Sequence, residues 1–318
     1  MSSVERFSTF GASSNNKKQD FRSIFSRSEK LPQFSIQHST FSIAVKDRLR
    51  GRLVFWLRVA LVVGLGFSLT LLSGCGRTKT GIIVVGSTSV LPYAEVLDEE
   101  FTLLYPGNRI DIQGGGSAAG INAARSGTAD IGMSSRDLNE EEQDLWSVEI
   151  AKDGLAVIIH PDNPLNNLTS KQICDIYAAK ISDWSELGGP KARIHIVARE
   201  EGSGTRDAFV KLIMGDERIT LKAIVQNSNG AVKQLVAGDE NSIGFVSLGL
   251  VDNTVKALNL DNVAPRRENV INGSYSLFRP FLFISQNQPE GLTKQFIDFA
   301  LSPEGQQLLA REGLIPVR

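Results

Sequence analysis

The chain has 318 residues, 42% hydrophobic and 22% charged, enough for one large core or two medium ones, which excludes a disordered protein. Its net charge of -1 hides an asymmetry: residues 1–58 carry 11 Lys/Arg against 4 Asp/Glu, leaving 23 against 31 for the rest, so a +7 leader precedes a -8 body. An acidic body excludes a nucleic-acid partner held by basic residues. Two cysteines, Cys75 and Cys174, make no disulfide framework, and His38, His160 and His195 lie at no metal-ligand spacing, so neither a metal nor a cofactor is expected.

Residues 1–50, rich in Ser, Phe, Lys and Arg without a period, read as an extension outside the fold, or as upstream of a start nearer Leu53 or Val54. Residues 51–75 read as a signal peptide: Arg48, Arg50, Arg52 and Arg58 lead into fourteen uncharged residues, Val59 to Leu72, shorter than a span of about 20. The stretch ends in Leu72-Ser73-Gly74-Cys75, which resembles a bacterial lipobox and implies lipidation at Cys75. The alternative is an uncleaved anchor helix from Leu53 to Leu72, with Arg58 snorkelling. Either way the remainder is expected outside the cytoplasmic membrane, lipid-anchored in the first case.

From Gly81 the pattern becomes globular. Ile82-Ile83-Val84-Val85 is a buried parallel strand that runs into Gly86-Ser87-Thr88-Ser89; a helix from Leu91 to Tyr105 follows. A second strand, Arg109 to Gln113, runs into Gly114-Gly115-Gly116-Ser117 and a helix. A third, Ala129 to Met133, ends in Ser134-Ser135-Arg136-Asp137. Loops of this kind gather at the carboxyl edge of an open parallel sheet, where ligands bind. An acidic helix is expected from Asn139 to Trp146, then a strand Leu155 to Ile159. Cys174, within Gln172 to Tyr177, reads as a buried, inert thiol on a helix face.

The strand Arg193 to Val197 leads into Ala198-Arg199-Glu200-Glu201-Gly202-Ser203-Gly204-Thr205-Arg206-Asp207, and Ala208 to Met214 has the apolar residues of a helix. Unpartnered N–H groups at that helix start, the hydroxyls of Ser203 and Thr205, and the fork of Arg199 suit a tetrahedral anion. Glu201 is expected to orient Arg199. The stretches beginning at Gln113 and Gln226 share a plan: a polar turn, a helix, then Ile-Gly-x-x-Ser. Two related units therefore build two lobes. The last strand is expected from Tyr275 to Ile284, and Ser302-Pro303-Glu304 opens a C-terminal helix.

Gly114 to Ala119 matches the loose G-x-G-x-x-A fingerprint, but Asp137 follows Ser134-Ser135 instead of closing a strand, which argues against a dinucleotide site. Neither Ser117 nor Ser203 sits in G-x-S-x-G, and no P-loop occurs. Hydroxyls, backbone N–H groups and one arginine bind an anion without supplying a base or nucleophile. The expectation is binding, with no catalysis.

Gly86 to Ser89, Gln113 to Ser117, Asp130 to Arg136, Arg199 to Arg206 and Ile243 to Ser247, in this order, resemble the phosphate-binding proteins of bacterial phosphate ABC transporters over residues 81–318. The resemblance implies an α/β fold of the periplasmic-binding-protein type II kind, with two lobes joined by a two-pass hinge, lobe 1 being 81–158 plus 281–318 and lobe 2 being 159–280. It further implies a monomer that captures inorganic phosphate and hands it to an ABC transporter permease. Carried over by motif, Thr88, Ser89, Ser117, Ser135, Arg199, Ser203, Gly204 and Thr205 would bind the ligand. The best-known members have an aspartate at the place of Ser135, accepting the phosphate's proton and helping to exclude sulfate. With serine there, Glu200, Glu201 and Asp137 are candidate acceptors, and another oxyanion such as sulfate or molybdate is the rival ligand. A phosphoester-processing enzyme, and a receptor or adhesion role without transport, are the further alternatives.

Overall fold

The computed structural model describes residues 81–317, which belong to a compact unit of residues 77–318. Cys75, the extension 1–50 and the signal segment 51–75 lie outside the described residues.

The Ile/Val run forms β1 (Gly81–Gly86) and is followed by α1 (Leu91–Leu104). Then come β2 (Arg109–Gly114), α2 (Ser117–Ser126) and β3 (Ile131–Ser134), both strands pairing with β1 in parallel. Close backbone approach sets α2 on this sheet: a Cβ at Gly120 would lie 2.6 Å from the Val85 carbonyl oxygen, and one at Gly132 2.5 Å from that of Gly120. Only glycine permits both contacts, and they hold Ser117 beside the ends of β1 and β3.

β4 (Trp146–Ile159) is fourteen residues long, of which the sequence suggested only the last five. Glu149, Lys152 and Asp153 interrupt the apolar run and conceal the rest. The acidic stretch before it closes only a 3-10 turn, Glu140–Glu142, capped reciprocally by Asn139. Next come β5 (Asn167–Leu168), α3 (Ser170–Tyr177) and β6 (His195–Arg199). α4 (Gly204–Phe209) passes into a π turn, Val210–Met214, where one regular helix was expected. β7 (Ile224–Gln226), α5 (Asn229–Ala237) and β8 (Ser242–Ser247) complete the second repeat. The short β9 (Lys256–Ala257), β10 (Asn259–Leu260) and α6 (Arg267–Ile271) precede β11 (Phe278–Ser285), whose start is three residues later than expected. The chain finishes with α7 (Gly291–Ala300), α8 (Pro303–Arg311) and β12 (Ile315–Pro316).

The main sheet runs β2-β1-β3-β11-β4-β8-β6-β7. The two repeats are the two ends of this order: β2-β1-β3, and β7-β6-β8, in which β6 is parallel to both neighbours. β4 connects them, pairing with β11 up to Gly154 and with β8 from Leu155. Phe101, Phe281, Phe283 and Phe296 anchor the core of the first end, and Tyr177, Trp184, Phe209 and Phe245 that of the second, with Phe209 and Phe245 stacked at 4.1 Å. Cys174 is a buried free thiol, its Sγ 3.8 Å from the Met214 carbonyl.

Candidate functional site

In each repeat the strand order reverses at the central strand, β1 or β6, and at such a switch point loops leave a crevice at the carboxyl ends. Ser87, Thr88 and Ser89 follow β1, Ser117 opens α2, Ser135 follows β3, Arg199 ends β6 and Gly204 opens α4. These segments meet. Ser87 Oγ donates to Ser135 Oγ at 2.8 Å, and Ser135 N–H donates to Ser117 Oγ at 3.0 Å. Ser89 Oγ and Thr205 Oγ1 are 2.8 Å apart, joining the two repeats, and Ala118 N–H donates to the Gly202 carbonyl at 3.0 Å.

Arg199 is 1% exposed at the centre of the cluster. Its Nε and Nη2 each donate to a Glu200 carboxylate oxygen at 2.8 Å, Nη2 also to Thr88 Oγ1 at 3.1 Å, and Nη1 to Thr205 Oγ1 at 3.4 Å. Glu200, and not the expected Glu201, therefore orients the guanidinium. The turn after β6 leaves Glu201 exposed. Asp137 is also exposed and pairs with Lys211 at 3.0 Å. Ser203 is buried and caps α4, its Oγ accepting the Arg206 N–H. A Cβ on Gly204 would lie 2.3 Å from Ser117 Oγ and 2.6 Å from Ser135 Oγ, so the close approach of the repeats here depends on the missing side chain.

All eight sequence-predicted residues thus lie in or beside one cluster. Two others were not foreseen. Asn229, the first residue of α5, is 1% exposed and its Nδ2 donates to Ser89 Oγ at 2.6 Å. The internal repeat held the signal, because Asn229 opens the second repeat's helix as Ser117 opens the first's. Arg136 is buried beside the cluster. Glu142 takes its two Nη groups at 2.7 and 2.9 Å, and Asp207 on α4 takes its Nε at 3.0 Å. Its hydrogen bonds hold the Glu142 carboxyl below the usual carboxylate range, while burial pushes Asp207 up despite the same partner. No group of three or more His, Cys, Asp or Glu capable of holding a metal occurs among the described residues. What the cluster offers is hydroxyls, amides and one oriented guanidinium, the groups that take an oxyanion without water.

A sheet built from two such repeats, with strands passing between them and an oxyanion-type site where they meet, defines a two-lobe solute-binding protein of the periplasmic-binding-protein fold. The PBP superfamily domain model matches residues 73–304. The phosphate-binding protein PstS of Bacillus subtilis is 30% identical over 247 residues, covering 76% of this chain and 82% of its own. That of Borreliella burgdorferi is 28% identical over 267 residues, covering 79% and 96%. A phosphate ABC transporter substrate-binding protein of Clostridium perfringens, solved with bound phosphate, superposes with a TM-score of 0.73 at 45% identity over 75% of this chain and 100% of its own. A phosphate transport receptor from Vibrio cholerae gives 0.64 at 38% over 74% and 99%. The chain belongs to the phosphate-binding protein family within that superfamily.

Proposed function

We propose that the protein is an extracytoplasmic, lipid-anchored solute-binding protein that captures inorganic phosphate between its lobes as a monomer and delivers it to an ABC permease. The observation that carries this is the buried Arg199 donating to hydroxyls from two other segments, Thr88 after β1 and Thr205 on α4, the second of which also meets Ser89. Relatives named for phosphate binding, one with phosphate bound, support the ligand. Thr88, Ser89, Ser117, Ser135, Arg199, Ser203, Gly204 and Thr205 are the proposed ligand groups. The proposed lobes are 81–158 with 281–318, and 159–280; β4 and β11, which run between the two ends of the sheet, are the hinge. The role is binding, not catalysis, because the hydroxyls and the arginine are bonded to one another and to Glu200 in a way that orients donors.

The test is calorimetry on the full-length protein with phosphate, sulfate and molybdate. Phosphate should bind, and Arg199→Ala should weaken it by at least about tenfold, since a hydrogen bond to a charged group contributes roughly 1.5–3 kcal/mol. Heat from sulfate or molybdate but none from phosphate would replace the ligand. An equal loss on Thr88→Ala would remove Arg199 from its leading place.

A further inference from the structure

Asn229 Oδ1 is a buried side-chain acceptor without a hydrogen-bond partner in the structure, although the Nδ2 of the same amide donates to Ser89 Oγ at 2.6 Å. Leaving such a group unsatisfied destabilises the folded chain, so it calls for a role. Its neighbours are instructive. Ser89 Oγ is shared with Thr205, Ser87 donates to Ser135, and Ser117 already accepts from the Ser135 amide. Arg199 and the backbone N–H groups can only donate. Each of these hydroxyls already accepts from or is shared with another group of the cluster, Thr88 and Thr205 accept from Arg199, and the carboxylate of Glu200 takes two donors from Arg199. Among the buried side-chain atoms of this cluster, Oδ1 is the unengaged one that can only accept.

We infer that Asn229 determines specificity in the proposed phosphate site, its Oδ1 accepting the hydrogen of a protonated oxyanion. The inference rests on the phosphate reading. Phosphate near neutral pH carries a proton that needs an acceptor, whereas sulfate carries none and would meet Oδ1 lone pair against oxygen. A neutral amide does this without placing a second negative charge next to the anion, and the Ser89 bond fixes the plane of the amide. The position fits the architecture: Asn229 opens the nine-residue α5 of the second repeat, facing a hydroxyl from the first.

The experiment compares phosphate and sulfate affinities by calorimetry for the full-length protein, Asn229→Ala, Asn229→Asp and Glu200→Gln. Asn229→Ala should lower phosphate affinity about tenfold and sulfate affinity by less than about threefold, the loss of one hydrogen bond to a charged group. Asn229→Asp, of nearly the same shape, should widen the phosphate-to-sulfate ratio, since a carboxylate repels an anion that has no proton to offer it. Equal losses of both anions in Asn229→Ala would reduce the residue to a strut between the lobes and overturn the inference. So would a ratio that moves only in Glu200→Gln. Parent protein that binds sulfate but not phosphate would end the phosphate reading itself, and this is separable from a parent that binds phosphate with a ratio no Asn229 variant changes. Melting curves for each variant separate lost binding from lost folding, and Asn229→Asp keeps the test open if the alanine variant unfolds.

Discussion

Gly204 decides how closely the two halves of the site approach. Its position 2.3 Å from Ser117 Oγ and 2.6 Å from Ser135 Oγ, measured from where a Cβ would stand, leaves no room for even one methyl group. Gly204→Ala should therefore hold the hydroxyls apart without disturbing either core. Forced overpacking costs about 1–3 kcal/mol. We expect phosphate affinity to fall by about tenfold or more while the melting temperature without ligand falls by no more than that cost implies. Calorimetry and thermal melts read the two effects separately, and unchanged affinity would mean that this contact is not part of the ligand-bound form. Arg199 and Glu200 make the complementary point. Adjacent residues on a tight turn diverge, so one glutamate lies on the guanidinium and the next is in solvent. Sequence order alone does not assign which.

At the scale of elements, β4 and β11 hold the two ends of the sheet together, and they carry the most buried ion pair among the described residues. Asp153 and Arg279 face each other in the strand register, each about 1% exposed at the side chain, with Arg279 Nη2 2.8 Å and Nε 3.0 Å from Asp153 Oδ2. Ser247 Oγ donates to Asp153 Oδ1 at 2.7 Å, while Arg279 Nη1 is buried without a partner. Burial pushes the Asp153 carboxyl up and the Arg279 guanidinium down, and both directions say that lost hydration outweighs mutual attraction. Arg279→Met alone should destabilise by about 3–5 kcal/mol, because it strands a buried carboxylate, whereas Asp153→Leu with Arg279→Met should be neutral or stabilising. The pH sign follows from the raised carboxyl. Its favourable contribution is full below the unfolded pKa and is lost as pH rises through the folded one, so the double variant should gain most above that point. Urea titrations at acid and neutral pH measure this. A double variant as unstable as the single would show that the pair stabilises on balance. This pair also accounts for part of the hidden length of β4: Asp153, a charge that looks like a loop in the sequence, is matched across the register by a residue 126 positions away.

For the whole molecule, the lipobox-like Leu72-Ser73-Gly74-Cys75 leads to the prediction that the mature protein starts at an acylated Cys75. One acyl chain gives marginal membrane binding, on the order of 10⁴ M⁻¹, and several give stable anchoring. Cys75→Ser should leave an uncleaved precursor or release the protein to the soluble fraction. Mass spectrometry of the membrane fraction decides, and an unmodified Cys75 there would favour the anchor helix. The described residues contain no helix long and apolar enough to cross a membrane.

The sequence by itself determined the strands that end in Ser/Gly/Thr loops, the repeat that makes two similar halves, and the residue types of an oxyanion site. These are local properties: a buried strand needs an apolar run, and a turn that approaches a ligand needs glycine and hydroxyls. The tertiary structure alone decided which groups face each other. Asn229 against Ser89, Arg136 against Asp207 and the first nine residues of β4 against β11 depend on partners remote in the chain, while the course of the turn after β6 decides that Glu200 and not Glu201 lies on Arg199. A polar residue in a sequence reads as exposed until its partner is known, and that partner is set by the sheet order that brings the two repeats together.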